Sequence, residues 1–158
     1  MKKIIYLLLS LSLIFLIGCD NNNNKKVESQ KGDFDIGETF QFMNFDITID
    51  NVESFTIIDK ELSNDHGKEV AKVPIKVKNN SSEADHLSMF YYKMYNPNGD
   101  EIISKGSYYD DSIDYAPNLE PGESYVKYLY IPYEGNGDYI LEFNSFSKKM
   151  KLVLNINK

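Results

Sequence analysis

Ala71-Lys72-Val73-Pro74-Ile75-Lys76-Val77-Lys78 alternates apolar and polar side chains over its whole length. A period of two puts alternate residues on opposite sides of an extended chain. The run therefore reads as a strand, with Ala71, Val73, Ile75 and Val77 toward a core and the lysines toward water. Pro74 falls on the polar side and has no N–H to give a neighbour. This points to an edge strand or a bulge.

The same rhythm extends in both directions. Upstream, Phe40 and Phe42 share one side of a short strand after Gly37, and Phe45, Ile47 and Ile49 alternate with Asp46, Thr48 and Asp50. That strand runs on to Ile57 if a bulge near Asn51 resets the phase. Downstream, residues 87–95 form an aromatic-rich strand. Asn96-Pro97-Asn98-Gly99 is a hairpin turn that returns the chain through Ile102 and Ile103. Residues 125–131, residues 139–143 and the set Met150, Leu152, Leu154 and Ile156 supply further strands. Between them lie Asn64-Asp65-His66-Gly67, Asn79-Asn80-Ser81-Ser82, the irregular acidic stretch 106–119, Pro121-Gly122 and Gly135-Asn136-Gly137. No window carries the 3.6-residue period of a helix. Seven or eight strands in about 120 residues predict an all-β fold, an immunoglobulin-like antiparallel β-sandwich over residues 34–158.

The amino terminus has a different character. Lys2 and Lys3 precede an uncharged apolar stretch, residues 4–17, in the layout of a secretory signal peptide. The stretch falls short of the roughly 20 apolar residues that a membrane-spanning helix needs. It ends in Leu16-Ile17-Gly18-Cys19. This motif resembles the lipobox of bacterial lipoproteins. The resemblance implies a signal peptide over residues 1–18 and a diacylglyceryl group on Cys19, which becomes the first residue of an extracytoplasmic, lipid-anchored chain. An ordinary signal peptide with an incidental cysteine is the competing reading. Cys19 is the only cysteine, so no disulfide can form within the chain and the domain depends on its apolar core. Residues 19–33 are rich in asparagine and lysine and read as a disordered tether, with an average span of roughly 20 Å and an extended one of about 45 Å.

Composition narrows the function further. Tyrosine (12) and phenylalanine (9) are abundant, while tryptophan is absent and lysine supplies all 17 basic residues. Without Lys2 and Lys3, 15 basic residues face 24 acidic ones, a net charge of −9. Such a chain repels nucleic acid and gains nothing electrostatically from anionic lipid. It would steer basic ligands or metal ions favourably.

Several pieces together resemble a known family. They are Ile36-Gly37-Glu38-Thr39-Phe40, Phe45-Asp46-Ile47-Thr48-Ile49, Val73-Pro74-Ile75-Lys76-Val77-Lys78-Asn79-Asn80, Tyr95-Asn96-Pro97-Asn98-Gly99-Asp100, Leu119-Glu120-Pro121-Gly122-Glu123 and Tyr130-Ile131-Pro132. In this order they are similar to a family of immunoglobulin-like domains found in Gram-positive surface lipoproteins. That family is related in fold to telokin-like secreted antigens and is itself of unknown function. The resemblance implies a fold and brings no catalytic residues with it. The tyrosine content and the acidic stretch after Gly106 depart from the family's usual pattern.

No catalytic constellation stands out. There is no Gly-x-Ser-x-Gly elbow and no glycine-rich phosphate loop, and His66 and His86 lie in separate polar stretches. No cofactor is expected. Residues 108–115 mix Tyr108, Tyr109 and Tyr115 with Asp110, Asp111 and Asp114. The tyrosines could form a contact surface and the three carboxylates are weak candidates for holding a metal ion. The plainer reading is a solvated crossover whose tyrosines cover the end of the core. In the strand 125–131, family resemblance points Val126, Tyr128 and Tyr130 inward. That leaves Tyr125, Leu129 and Ile131 on a face that is either covered by a loop or open to a partner. The leading expectation is a membrane-anchored, non-enzymatic binding or protein-interaction module with a cell-envelope partner. The alternatives are an accessory structural subunit of an envelope complex and an extracytoplasmic metal- or small-ligand-binding protein.

Overall fold

The computed structural model describes residues 32–158. The signal segment, the lipobox and most of the tether lie outside the described residues. Asp33, assigned to the tether from sequence, is already tied to the domain: its N–H donates to the Lys151 carbonyl at 2.7 Å.

Nine strands form two antiparallel sheets. In chain order they are β1 (Thr39–Phe42), β2 (Phe45–Ile49), β3 (Ser54–Ile57), β4 (Glu69–Asn79), β5 (Tyr92–Tyr95), β6 (Glu101–Ile102), β7 (Ser124–Pro132), β8 (Gly137–Asn144) and β9 (Lys149–Ile156). The first sheet has β4 at its centre, with β2 and β3 along one side, β7 along the other, and β1 outside β2. The second has the order β6-β5-β8-β9. Helix among the described residues is limited to single 3-10 turns at Met89–Tyr91, Gly106–Tyr108 and Ile113–Tyr115. The molecule is an antiparallel β-sandwich of the immunoglobulin-like kind.

The core lies between the sheets and is built from the alternating positions. Ile47, Ile49, Val73, Ile75, Val77, Leu129 and Ile131 from the first sheet meet Tyr139, Leu141, Phe143, Leu152 and Leu154 from the second. Aromatic rings close one end, where Phe143 packs on Phe40 and Phe42 at 5.3 and 5.5 Å between centroids. Burial of this kind contributes roughly 1.5–3 kcal/mol per large apolar side chain.

Three strand expectations need correction. Pro74 is in the central strand, not at an edge. Its carbonyl accepts from Asp50, so the side of Pro74 without an N–H faces the gap between β2 and β3. There residues 50–53 lie opposite only Val73 and Pro74, a bulge larger than the one expected at Asn51. The missing donor therefore costs little. Residues 87–91 are not strand, because Ser88 caps a 3-10 turn through its hydroxyl before β5 begins. In β7 the inward set is Tyr125, Leu129 and Ile131, while Val126 is 57% exposed. The reason is register: Leu129 pairs with Val73 and Ile131 with Ala71, both core residues of β4. Leu129 and Ile131, offered from sequence as binding-surface residues, are fully buried.

Candidate functional site

The segment singled out by sequence, residues 108–115, lies with its flanking residues along the free edge of β7 and over its outer face. Two backbone hydrogen bonds clip it there, Lys105 N–H to the Tyr130 carbonyl (2.9 Å) and Tyr128 N–H to the Asp111 carbonyl (3.1 Å). The pairing also covers an edge that would otherwise present open backbone groups. Locally the loop is shaped by serines. Ser104 Oγ accepts from Gly106 N–H, and Ser112 Oγ accepts from Asp114 N–H. Gly106 is required by close approach, since a Cβ there would overlap Ser112 Oγ and Asp114 Oδ2.

Beneath the loop a second apolar cluster sits outside the sandwich. Ile58, Val70 and Tyr130 are buried there, with Tyr108, Tyr109 and Tyr128 packed around them. The Tyr109 ring stacks on Tyr130 with centroids 3.8 Å apart and planes 9° from parallel. This explains the outward tyrosines of β7: they are covered by the loop.

Two polar networks frame the cluster. In one, Asp65 from the β3–β4 loop meets Lys105 Nζ at 2.8 Å, Lys68 Nζ at 2.7 Å and the Tyr108 hydroxyl at 3.1 Å. Hydrogen bonds from Lys105 and then Lys68 hold the Asp65 carboxyl well below the usual carboxylate range. In the other, Asp111 accepts from the Tyr130 hydroxyl at 2.6 Å and pairs with Lys72 at 2.9 Å. Lys72 Nζ also sits 3.8 Å above the Tyr128 ring, in cation–π contact. Burial pushes the Asp111 carboxyl up, but Tyr130 and Lys72 outweigh it and the net shift is downward.

Asp114 behaves differently. It is half-buried, reached by the Tyr92 hydroxyl and Ser104 Oγ only at 3.4 Å, and burial raises its carboxyl above the ordinary value. Tyr125 is half-buried and its hydroxyl is buried without a hydrogen-bond partner.

These contacts separate the sequence candidates. Asp110, Asp111 and Asp114 do not converge. Asp111 turns to the sheet and Asp114 toward Tyr92, while Asp110 is exposed and offers its carbonyl to Lys127. Among the described residues no group of three or more carboxylate, histidine or cysteine side chains could hold a metal ion. The three aspartates therefore do not form one site: the Asp111 and Asp114 carboxylates are engaged by different side chains, and Asp110 lies apart at the surface. Tyr108 and Tyr109 are half-buried, and Tyr115 remains 55% exposed.

Sequence reasoning missed two hubs. Asp65 appeared only as part of a turn, although it joins two loops. Asn79 is fully buried and donates to the Glu83 and Leu119 carbonyls while accepting from Ser81 N–H. An asparagine that ends a long alternating strand was the available signal. Sequence also gave no weight to the cleft at the β5–β6 edge, about 110 Å³, where Met89, Met94, Ile102 and Ile103 lie beside the Lys93–Glu101 ion pair. Met89 and Ile103 are exposed there.

Residues 34–151 match the sequence profile of the family described as Domain of unknown function (DUF4352). The chain belongs to this family. Among solved structures, the DUF4352 chain is similar to the yjhA protein from Bacillus subtilis, with 14% identity, a TM-score of 0.54, and coverage of 77% of this chain and 98% of that one. It is also similar to an uncharacterized β-sandwich protein from Clostridium difficile 630, with 18% identity, a TM-score of 0.50, and coverage of 83% and 99%. At these identities the likeness is one of fold. A comparison with curated protein sequences finds no match.

Proposed function

We propose that this DUF4352 chain is an extracytoplasmic lipoprotein, held at the cell membrane by acylated Cys19, whose β-sandwich is a non-enzymatic module for binding a protein of the cell envelope. The lipobox-like Leu16-Ile17-Gly18-Cys19 supports the location, as in the Gram-positive lipoproteins the sequence resembles. The chemistry of the loops supports a module over a catalyst: Asp65, Asp111 and their lysine and tyrosine partners are committed to one another and hold the loops down.

The observation that carries the reading is the apolar strip beside β6, where Ile103 is 73% exposed next to Met89. Tyr115 lies near it in the chain's path, one residue beyond the Asp114 that Ser104 reaches. Exposed apolar surface rimmed by an ion pair suits a protein partner. The test is photo-crosslinking in intact cells from Ile103 and Tyr115, with Thr48 on the opposite sheet as control. A discrete adduct from the strip alone is expected. Adducts equally frequent at Thr48, or none at all, would remove the reading. For the anchor, Cys19→Ala should abolish the acyl mass and release the chain from the membrane fraction.

A further inference from the structure

Three loops at one end of the sandwich carry exposed apolar tips. Met43 is the first of the two residues linking β1 to β2, Phe90 lies in the turn before β5, and Phe146 lies in the turn between β8 and β9. All three are exposed, Phe90 by 90%. The ring of Phe42 sets their common level, 6.1 Å from Tyr91 and 5.5 Å from Phe143. Lys148 reaches from the last turn to the Gln41 carbonyl. Met43 also has a φ of +53°, at a hairpin position where glycine is the usual occupant. A large apolar side chain held on strained backbone in water is a pattern that accompanies function more often than stability.

The described chain begins alongside the first half of β9, the strand that starts at this end. Phe34 bridges Leu152 in parallel, so the chain from Phe34 runs with β9, away from the 145–148 turn. Gly37 then docks on Ile49 at the far end, and β1 returns toward Met43. By sequence, about a dozen residues separate Cys19 from Gly32, a reach of at most about 45 Å.

We propose that this end is a lipid-contacting surface: Met43, Phe90 and Phe146 enter the interfacial layer of the bilayer that tethers the domain and fix its orientation. The inference rests on the lipid-anchor reading and extends it from the acyl chains to the folded domain. Lys148 and Lys149 follow Phe146, with Lys149 paired to Glu142, and their stems can lie along the interface with the charges in water. Exposed Glu83, Glu120 and Glu123, with Asp85, occupy the first-sheet side of the same end. Anionic headgroups repel them, so the domain leans on its second sheet. The opposite end is built from polar turns around Asn98 and Asn136. Leu62 and Ile57 are exposed toward it, but both exposed phenylalanines of the described residues are at the Met43 end. The acidic net charge gives such a contact no overall attraction, which leaves apolar insertion as its basis.

The experiment uses the full acylated chain in phosphatidylcholine–phosphatidylglycerol vesicles. Phe90→Cys, Phe146→Cys and, at the far end, Asn98→Cys each carry a polarity-sensitive fluorophore, and a quencher is attached to the lipid tails. Emission from positions 90 and 146 should be blue-shifted and quenched at least about twofold more than from position 98. Membrane-bound protein whose tip labels are as aqueous as position 98 would overturn the proposal. Tips that are aqueous on vesicles but shielded in whole cells would also overturn it and assign them to a protein. A chain without acyl mass that stays off the vesicles would instead defeat the anchor reading, and this inference with it.

Discussion

Tyr130 donates a 2.6 Å hydrogen bond to Asp111 Oδ1, and through it the outer face of β7 holds the loop that covers it. The other oxygen of Asp111 is 2.9 Å from Lys72 Nζ. Tyr130→Phe keeps the ring stacked on Tyr109 and deletes only the donor. A loss of about 1–2 kcal/mol is expected, as for a charge-assisted hydrogen bond at a partly solvated carboxylate. Urea unfolding should show a lower midpoint with an unchanged slope. A midpoint equal to wild type would show that the contact is energetically idle.

Asp65 sets an acid limit on stability. Its carboxyl titrates below the ordinary value because Lys105 and Lys68 favour the charged form. A depressed carboxylate stabilises the fold above its unfolded value near 4, and that stabilisation is lost as pH falls through the folded value. Asp65→Asn should lower the melting temperature at pH 7 and lower it less at pH 2.5, where the unfolded carboxyl is already protonated. An equal loss at both pH values would contradict the assignment.

Asp114 has the opposite sign. Burial raises its carboxyl, so the native state binds the proton more tightly than the unfolded chain does. Its favourable contribution is present at pH below the unfolded value and lost as pH rises through the folded one. At pH 7, above the unfolded value, the group costs stability. Asp114→Asn, which keeps an oxygen for the Tyr92 hydroxyl, should raise the melting temperature at pH 7 and leave it nearly unchanged at pH 3.5. A lower melting temperature at pH 7 would show that the carboxylate is needed in its charged form.

Gly106 is fixed by space. A methyl group at this position meets Ser112 Oγ and Asp114 Oδ2. Gly106→Ala should cost about 1–3 kcal/mol, the range for overpacking a tight site. Hydrogen exchange should speed up at Tyr128, whose N–H bonds Asp111, and stay slow in β8 and β9. Unchanged exchange at Tyr128 would count against the clip.

The sandwich was legible because two-residue periodicity records which side of a strand is buried. The sets in β2, β4 and β9 are buried as the alternation predicts. β7 was misjudged because both its faces are apolar: one meets the core and the other lies under a loop. Alternation cannot rank two buried faces, whereas the pairing of Leu129 with Val73 can. The edge reading of Pro74 failed for a related reason. A proline excludes a ladder donor, but only the three-dimensional arrangement shows that β2 ends and β3 begins opposite it. Within the candidate site, residue types were readable and partnerships were not. Asp65 and Lys105 are 40 positions apart, and nothing local to either announces the other.

The pairing of Asp33 with Lys151 spans 118 positions, and it has a kinetic consequence. The first described residues rest on the last strand, so a chain still lacking β9 leaves Phe34 without its bridge to Leu152 and the second sheet without its edge. Closure must come late and nearly at once. Non-local topology of this kind commits a polypeptide to folding in milliseconds to seconds, well beyond microseconds.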